Sequence, residues 1–151
     1  MKLRILFALL LLFTVSLGAQ NLGNLDFVNE LGDREAATYG DAVTFFMLME
    51  NRAPGGFEAN AAALDRLGIT TGIRAAENTL LDRGMLSLMV ARYLKIQDGL
   101  LYLISGSGRY AFRACAEQGV MDSDASEWDV MSGEGLIEVM AKVSAIKEAA
   151  K

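Results

Sequence analysis

The sequence predicts an all-α protein, a compact bundle of short helices built from two full helix-loop-helix repeats and one abbreviated repeat. Three observations lead to this prediction. Apolar residues recur with helical spacing, not strand alternation, through most of the chain. Three of the apolar stripes follow a residue whose side chain can cap a helix. Two further segments end on a glycine that is followed by Ile or Val.

The three capped helices share one design. They run from Thr38 to Met49, from Asp82 to Leu94 and from Ser132 to Val143, and each begins with a side-chain oxygen that can accept from the first turn. Counted from each cap, apolar residues fall at positions +4, +7, +8 and +11 in all three helices. The caps are 44 and then 50 residues apart, so this agreement indicates an internal repeat.

The repeat extends to the helix that precedes each capped one. Residues 61–67 end on Gly68 and residues 110–118 end on Gly119, and glycine supplies the left-handed turn that ends a helix. A polar loop of about a dozen residues then leads to the cap. Residues 27–32 are a shortened version of the same opening, which gives two full units and one abbreviated unit.

The first eighteen residues have the pattern of a secretory signal peptide. Lys2 and Arg4 precede an apolar stretch over residues 5–12, and Ser16 and Gly18 are the small residues that a signal peptidase needs. The apolar stretch is too short for a mature transmembrane helix, which takes about 20 residues. We therefore expect export to the periplasm, the cell envelope or the extracellular space, with no membrane span in the mature chain.

The mature chain is acidic and has the length of one domain. We expect a flexible lead-in over residues 19–24 and a single helical domain over residues 25–151. Removal of the signal peptide takes the 14 basic residues to 12, against 19 acidic ones, which leaves a net charge near −7. Such a charge opposes nucleic acid as a partner, because binding to phosphates depends on Lys and Arg.

The composition also excludes several kinds of site. The chain has no His and a single Cys, so a Ser-His-Asp triad, a His-ligated zinc and an internal disulfide cannot form. The carboxylates are spread over helix surfaces and loops, without the apolar surroundings that acid–base catalysis needs. We expect no enzyme, no cofactor and no metal site. Cys115 shares a helical face with Ala111 and Ala114, which favours a buried thiol over an intermolecular bridge or a redox role.

The repeat unit resembles the surface-layer homology (SLH) module, whose pattern is Tyr-Ala-x-x-Ala-x-x-x-Gly-Ile/Val, a loop, and a capped helix start close to Thr-Arg-Ala-Glu. The best match runs from Arg109 to Met140, and the second runs from Ala61 to Arg92. The resemblance covers roughly residues 57–143. It implies short helices in a compact bundle and the attachment of exported proteins to cell-wall polysaccharide.

In that family the Thr-Arg-Ala-Glu motif contributes an Arg to the ligand pocket. The corresponding tetrads begin at Thr38, Asp82 and Ser132, and only the second has an Arg, which is Arg83. The resemblance therefore implies a ligand contact at Arg83, whose guanidinium can bind an acidic sugar or a pyruvyl group through two hydrogen bonds. A solvent-facing charge beside the cap is the alternative.

Two further residues are candidates for a pocket between repeats. Arg109 lies at a helix opening, and Trp128 lies in the loop before the last capped helix, where an exposed indole can stack on a sugar ring. The alternatives are a solvated Arg109 and a Trp128 that packs beneath its loop. Residues 122–133 begin like a calcium loop, but Glu127 and Gly133 stand at its sixth and twelfth positions, so an acidic loop is expected.

The sequence thus predicts a non-catalytic, exported, SLH-like module with a binding or structural role in the cell envelope. Its predicted binding residues are Arg83, Arg109 and Trp128, and its predicted partner is a cell-wall polymer or another envelope protein. The alternative is a small-ligand or glycan-binding protein with a pocket between repeats. Grooves lined by Met would favour a protein partner, although most of the methionines are expected in the core; grooves lined by Arg and Trp would favour a glycan.

Overall fold

A computed structural model describes residues 24–96 and 106–150. The predicted signal peptide and most of the lead-in over residues 19–24 lie outside the described residues. Within the described ranges the regular structure consists of six helices, with two isolated β-bridges and no strand, so the all-α prediction is confirmed. The chain divides into two compact units, residues 1–30 and 31–151, and the contacts described below belong to the second.

The helix bounds agree with the predicted order of elements. The helices are α1 over residues 24–32, α2 over Tyr39–Met49, α3 over Phe57–Arg66, α4 over Arg83–Tyr93, α5 over Gly108–Glu117 and α6 over Gly133–Ala149. Helix α6 continues past its predicted end at Val143, because no Gly or Pro follows there to stop it. None of the helices in the described ranges is both long and apolar enough to cross a membrane.

The three predicted caps are confirmed. The side chains of Thr38, Asp82 and Ser132 each accept a hydrogen bond from the backbone N–H three residues further on. Thr38 forms a full capping box, in which the Asp41 carboxylate accepts from the Thr38 N–H at 2.8 Å. Nη1 of Arg34 donates a hydrogen bond to Oδ1 of the same carboxylate at 2.6 Å. The start of α2 is therefore fixed by side chains from both sides of the cap.

The apolar stripes are confirmed for α4 and α6, whose four predicted residues are all buried. Helix α2 differs. Ala42 and Phe46 are buried as predicted, but Phe45 and Met49 are only partly buried, and Val43 is fully buried in their place. Because α2 is apolar on more than one face, spacing alone does not decide which face meets the core.

The glycine turns predicted after residues 61–67 and 110–118 are also confirmed. Gly68 and Gly119 have φ of 78° and 72°, which is the left-handed region. The next residues, Ile69 and Val120, donate their N–H back to a carbonyl of the preceding helix at 3.0 and 2.9 Å. Gly32 has no positive φ, so the abbreviated opening lacks this turn. The division of the chain into SLH-like repeats stays a prediction.

Three backbone hydrogen bonds close a ring through the residues immediately before the three caps. The Ala37 N–H donates to the Met131 carbonyl at 2.8 Å, the Met131 N–H to the Leu81 carbonyl at 2.8 Å, and the Leu81 N–H to the Ala37 carbonyl at 3.0 Å. The three side chains are buried. This core ring, Ala37, Leu81 and Met131, thus joins the starts of α2, α4 and α6.

Loop carbonyls also bind the first amides of the capped helices. The Gly40 N–H donates to the Glu77 carbonyl at 2.9 Å, and the Gly84 N–H donates to the Glu127 carbonyl at 2.8 Å. Gly133 donates in the same way to the turn after α1. A helix start has N–H groups without intrahelical partners, and here neighbouring loops satisfy several of them.

The core contains the predicted thiol and most of the methionines. Cys115 is free and fully buried, and burial raises the pKa of its thiol to about 12. The buried methionines are Met47, Met89, Met121, Met131 and Met140. The prediction of an ordinary buried thiol among core methionines is therefore confirmed.

Candidate functional site

A groove of about 300 Å³ lies where the starts of α4 and α5 meet the loop that leads to α6. Helices α4 and α5 approach closely here because glycines face each other: a Cβ on Gly108 would lie 2.9 Å from the carbonyl carbon of Gly84. Apolar and polar side chains share the lining. We call this the α4–α5 groove, and its larger lining side chains are Ile73, Asp82, Met85, Leu88, Arg109, Glu127 and Trp128.

The structure brings two of the three predicted binding residues together in this groove. Arg109 and Trp128 both line it, although they come from different elements, α5 and the loop before α6. Arg83 does not line it, but its chain neighbours Asp82 and Gly84 do.

Trp128 is exposed over 77% of its surface. Its backbone N–H donates to the Ser126 hydroxyl at 3.3 Å, which belongs to a turn of the same loop. The alternative that Trp128 packs beneath the loop is therefore wrong. The indole is available to cover a ligand, and an indole presents both an apolar face and an N–H donor.

Arg109 and Glu127 form a loose pair inside the groove. The Arg109 side chain is 61% exposed, and its Nε lies 3.8 Å from Oε1 of Glu127, whose side chain is 20% exposed. This distance is too long for a hydrogen bond, and a surface ion pair of this kind contributes less than about 1 kcal/mol. Both groups can therefore exchange this contact for hydrogen bonds to a ligand with little loss of free energy.

Arg83 does not line the groove, and only part of its side chain is shielded from solvent. It is half-buried, and its Nε is shielded from solvent without a hydrogen-bond partner. Among the described residues no other buried side-chain nitrogen or oxygen lacks a partner. Leaving a buried donor unpaired costs about 1–3 kcal/mol.

Two carboxylates of the acidic loop accept hydrogen bonds from backbone N–H groups of the same loop. Asp122 accepts from the Asp124 N–H at 3.1 Å, and Asp129 accepts from the Ser126 N–H at 2.8 Å. Within residues 24–96 and 106–150 no three His, Cys, Asp or Glu side chains are grouped so that they could hold a metal ion. These hydrogen bonds fix the loop that carries Trp128.

A second groove, of about 330 Å³, lies at the start of α2 and was not anticipated from the sequence. Tyr39 and Phe57 line it as an edge-to-face pair with centroids 5.8 Å apart, next to Arg74 and Glu77. Tyr39 follows its cap as Arg83 does, and Glu77 stands five residues before a cap as Glu127 does. Glu77 and Glu127 thus stand at the same distance before a cap, and each lines a groove. This shared spacing is the sequence signal that could have identified Glu127 as a groove residue.

A charged cluster joins the far ends of the capped helices. Lys147 of α6 lies 3.0 Å from Oε1 of Glu50, at the end of α2, and 3.5 Å from the ring centroid of Tyr93, at the end of α4. The hydrogen bond from Lys147 lowers the pKa of Glu50, and burial raises the pKa of Tyr93. Burial opposes the charge on Lys147, but its hydrogen bonds to Tyr93 and Glu50 outweigh burial and raise its pKa.

This cluster does not have the chemistry of a nucleophilic serine site. Ser144 and Lys147 line the same cavity of about 270 Å³. A serine nucleophile needs an unprotonated base beside it, whereas the raised pKa keeps Lys147 a cation at neutral pH. What the cluster does show is contact of Lys147 of α6 with the ends of α2 and α4.

Comparisons of the chain with protein-family models, with curated proteins and with solved structures found no match.

Proposed function

We propose that this protein is an exported, non-catalytic module of the cell envelope, of SLH-like architecture, which binds a wall saccharide in the α4–α5 groove. The observation that carries the proposal is the exposure of Trp128 beside Arg109 and Glu127. An exposed indole is unfavourable in water, and a sugar ring that stacks on it removes that apolar surface from solvent. Arginine donates hydrogen bonds and glutamate accepts them, so together they suit hydroxyl groups.

The groove has the dimensions and the make-up of a small-ligand site. Its volume of about 300 Å³ falls at the lower end of the range for such sites. Ile73, Met85 and Leu88 supply apolar contact, and Asp82, Arg109 and Glu127 supply polar groups that can orient a ligand. Arg and Trp in the lining favour a glycan over a protein.

The core ring supports the SLH-like part of the proposal. Ala37, Leu81 and Met131 hold equivalent positions, each directly before a cap, as a bundle of three related units requires. Arg83 occupies the motif position of the family and lies next to two groove residues. Export is supported by the basic start, apolar core and small residues at the N-terminus.

The test is sedimentation of the purified protein with insoluble cell-wall sacculi. We expect wild type to sediment and Trp128→Ala to stay largely in the supernatant, with affinity reduced at least tenfold. The matched control is Leu80→Ala, which removes a 55% exposed apolar side chain from the loop before the Asp82 cap and leaves the groove lining intact. Wild type that remains in the supernatant, or Trp128→Ala that sediments equally, would contradict the proposal.

A second candidate is an adaptor that binds another envelope protein. Leu80 and Val130 are 55% and 47% exposed, and both stand two residues before a cap. Scattered exposed apolar residues are ordinary, but apolar groups on adjoining loops suit a protein partner. Loss of envelope association in Leu80→Asp, with sacculus binding by the purified protein unchanged, would favour this candidate.

A further inference from the structure

We infer that the α4–α5 groove takes a neutral, hydroxyl-rich sugar ring in preference to an acidic sugar. The inference rests on the proposed function, since it names the class of saccharide for the same groove. It comes from the charges that line the groove, from the spacing of Arg109 and Glu127, and from the exposed face of Trp128.

The groove carries more negative than positive charge. Asp82 and Glu127 line it, and Arg109 is the only cation among its lining residues, all of which are described. The guanidinium of Arg83 lies outside the lining. A carboxylated sugar that paired with Arg109 would bring its carboxylate close to Glu127, because Oε1 of Glu127 is already 3.8 Å from Nε of Arg109. Like charges at such distances repel, and the repulsion grows where water is displaced.

A neutral sugar meets no such repulsion. Neighbouring hydroxyls of one ring can donate to the Glu127 carboxylate and accept from the Arg109 guanidinium at the same time. The separation of 3.8 Å leaves these two groups adjacent but not hydrogen-bonded to each other. Hydrogen bonds to ionised groups are the stronger kind. The apolar face of the ring then lies on the exposed indole of Trp128.

Glu127 can be changed without disturbing the fold that presents it. Its backbone carbonyl, not its side chain, accepts from the Gly84 N–H at 2.8 Å. The Glu127→Gln change therefore removes the groove charge and keeps that hydrogen bond. Glu117→Gln is the matched control, because it makes the same charge change at an exposed residue that ends α5 and does not line the groove.

Trp128 is the single Trp of the chain, so tryptophan fluorescence reports directly on the groove. The experiment titrates the purified protein with neutral hexose and N-acetylhexosamine oligosaccharides and, separately, with uronic-acid oligosaccharides of the same length. We expect the neutral set to shift the emission to shorter wavelength and the acidic set to bind at least tenfold more weakly. We also expect Glu127→Gln to weaken the neutral ligands about five- to tenfold and Glu117→Gln to change nothing.

Each contrary outcome has its own meaning. Acidic oligosaccharides that bind wild type as tightly as neutral ones, or a Glu127→Gln variant that binds neutral ligands as tightly as wild type does, would overturn the neutral-sugar inference and leave the saccharide function standing. Emission that no oligosaccharide of either set changes would overturn both. Circular dichroism of the two variants establishes that each difference arises in a folded protein.

Discussion

Lys95 and Asn51 both end a capped helix with left-handed backbone, at φ of 54° and 53°. The residue after each donates its N–H back to the helix, Ile96 at 2.9 Å and Arg52 at 3.0 Å. Glycine is the usual residue at such a position, because a side chain at positive φ is strained. Asn tolerates this conformation better than Lys does.

Replacement of Lys95 by Gly is therefore expected to stabilise the protein. Relief of the left-handed strain should raise the free energy of unfolding by about 1 kcal/mol, measured from the urea midpoint at constant slope. The matched change Asn51→Gly should give a clearly smaller gain. A Lys95→Gly variant that unfolds at the wild-type midpoint or below it would show that the turn is not strained.

Cys115 is expected to be chemically silent in the folded protein. Thiolate is the reactive form of cysteine, and burial raises the pKa of this thiol to about 12. Reaction with Ellman's reagent at pH 8 should be slow in buffer and fast in guanidinium chloride. Fast reaction of the native protein would contradict the burial of Cys115.

At the scale of the helices, glycine at the capped starts lets neighbouring backbone come close. A Cβ on Gly133 would overlap the Leu31 carbonyl, which is backbone and cannot move without the turn after α1. A Cβ on Gly135, two residues on, would meet only the ends of the Ser132 and Met131 side chains, at 3.1 and 3.3 Å. These two glycines of α6 therefore have different roles.

Gly133→Ala is expected to destabilise the protein by about 3 kcal/mol, the upper part of the range for overpacking. Gly135→Ala should stay within about 1 kcal/mol of wild type, since the better helix propensity of Ala offsets the tighter contacts. Thermal unfolding followed by circular dichroism measures both variants. Equal losses for the two would mean that the backbone contact at Leu31 does not hold α6.

These helix starts also show what a sequence can predict and what it cannot. The caps at Thr38, Asp82 and Ser132 and the turn at Gly119 were predictable, because each depends on hydrogen bonds within a few residues. The exposure of Trp128 was not, since it depends on how a loop lies against helices far away in the chain. Nor was the half-burial of Arg83, the assembly of the core ring, or the contact of Lys147 with residues of two other helices. Each of these arises from packing between segments distant in sequence.

In the packing of the bundle, Lys147 near the end of α6 contacts the ends of two other helices, α2 at Glu50 and α4 at Tyr93. Glu50 has a lowered pKa in the folded protein, so the pair contributes stability above the unfolded value of 4.5, and this contribution is lost as the pH falls through the lowered folded value. Lys147→Met keeps the aliphatic stem and removes the charge. It also removes the cation over the Tyr93 ring.

We expect Lys147→Met to cost about 1 kcal/mol of unfolding free energy at pH 7, with the difference from wild type shrinking as the pH falls below 4.5. The control is Lys142→Met, which breaks an exposed pair with Glu138 one turn apart on α6 and should cost about 0.5 kcal/mol or less. Urea unfolding across pH 3 to 7 measures both. A cost for Lys147→Met that stays constant down to pH 3 would exclude Glu50 as the source.

The core ring also limits how this architecture can change in length. Each of its three members gives one hydrogen bond and receives one, so the ring has no edge at which a fourth segment could join. Open repeat arrays grow or shrink at their ends because each unit contacts only its neighbours. Here an added segment would find no free backbone N–H in the ring, and a lost segment would leave one N–H and one carbonyl of the other two members unpaired in the core. Closure thus fixes the number of segments in the ring at three.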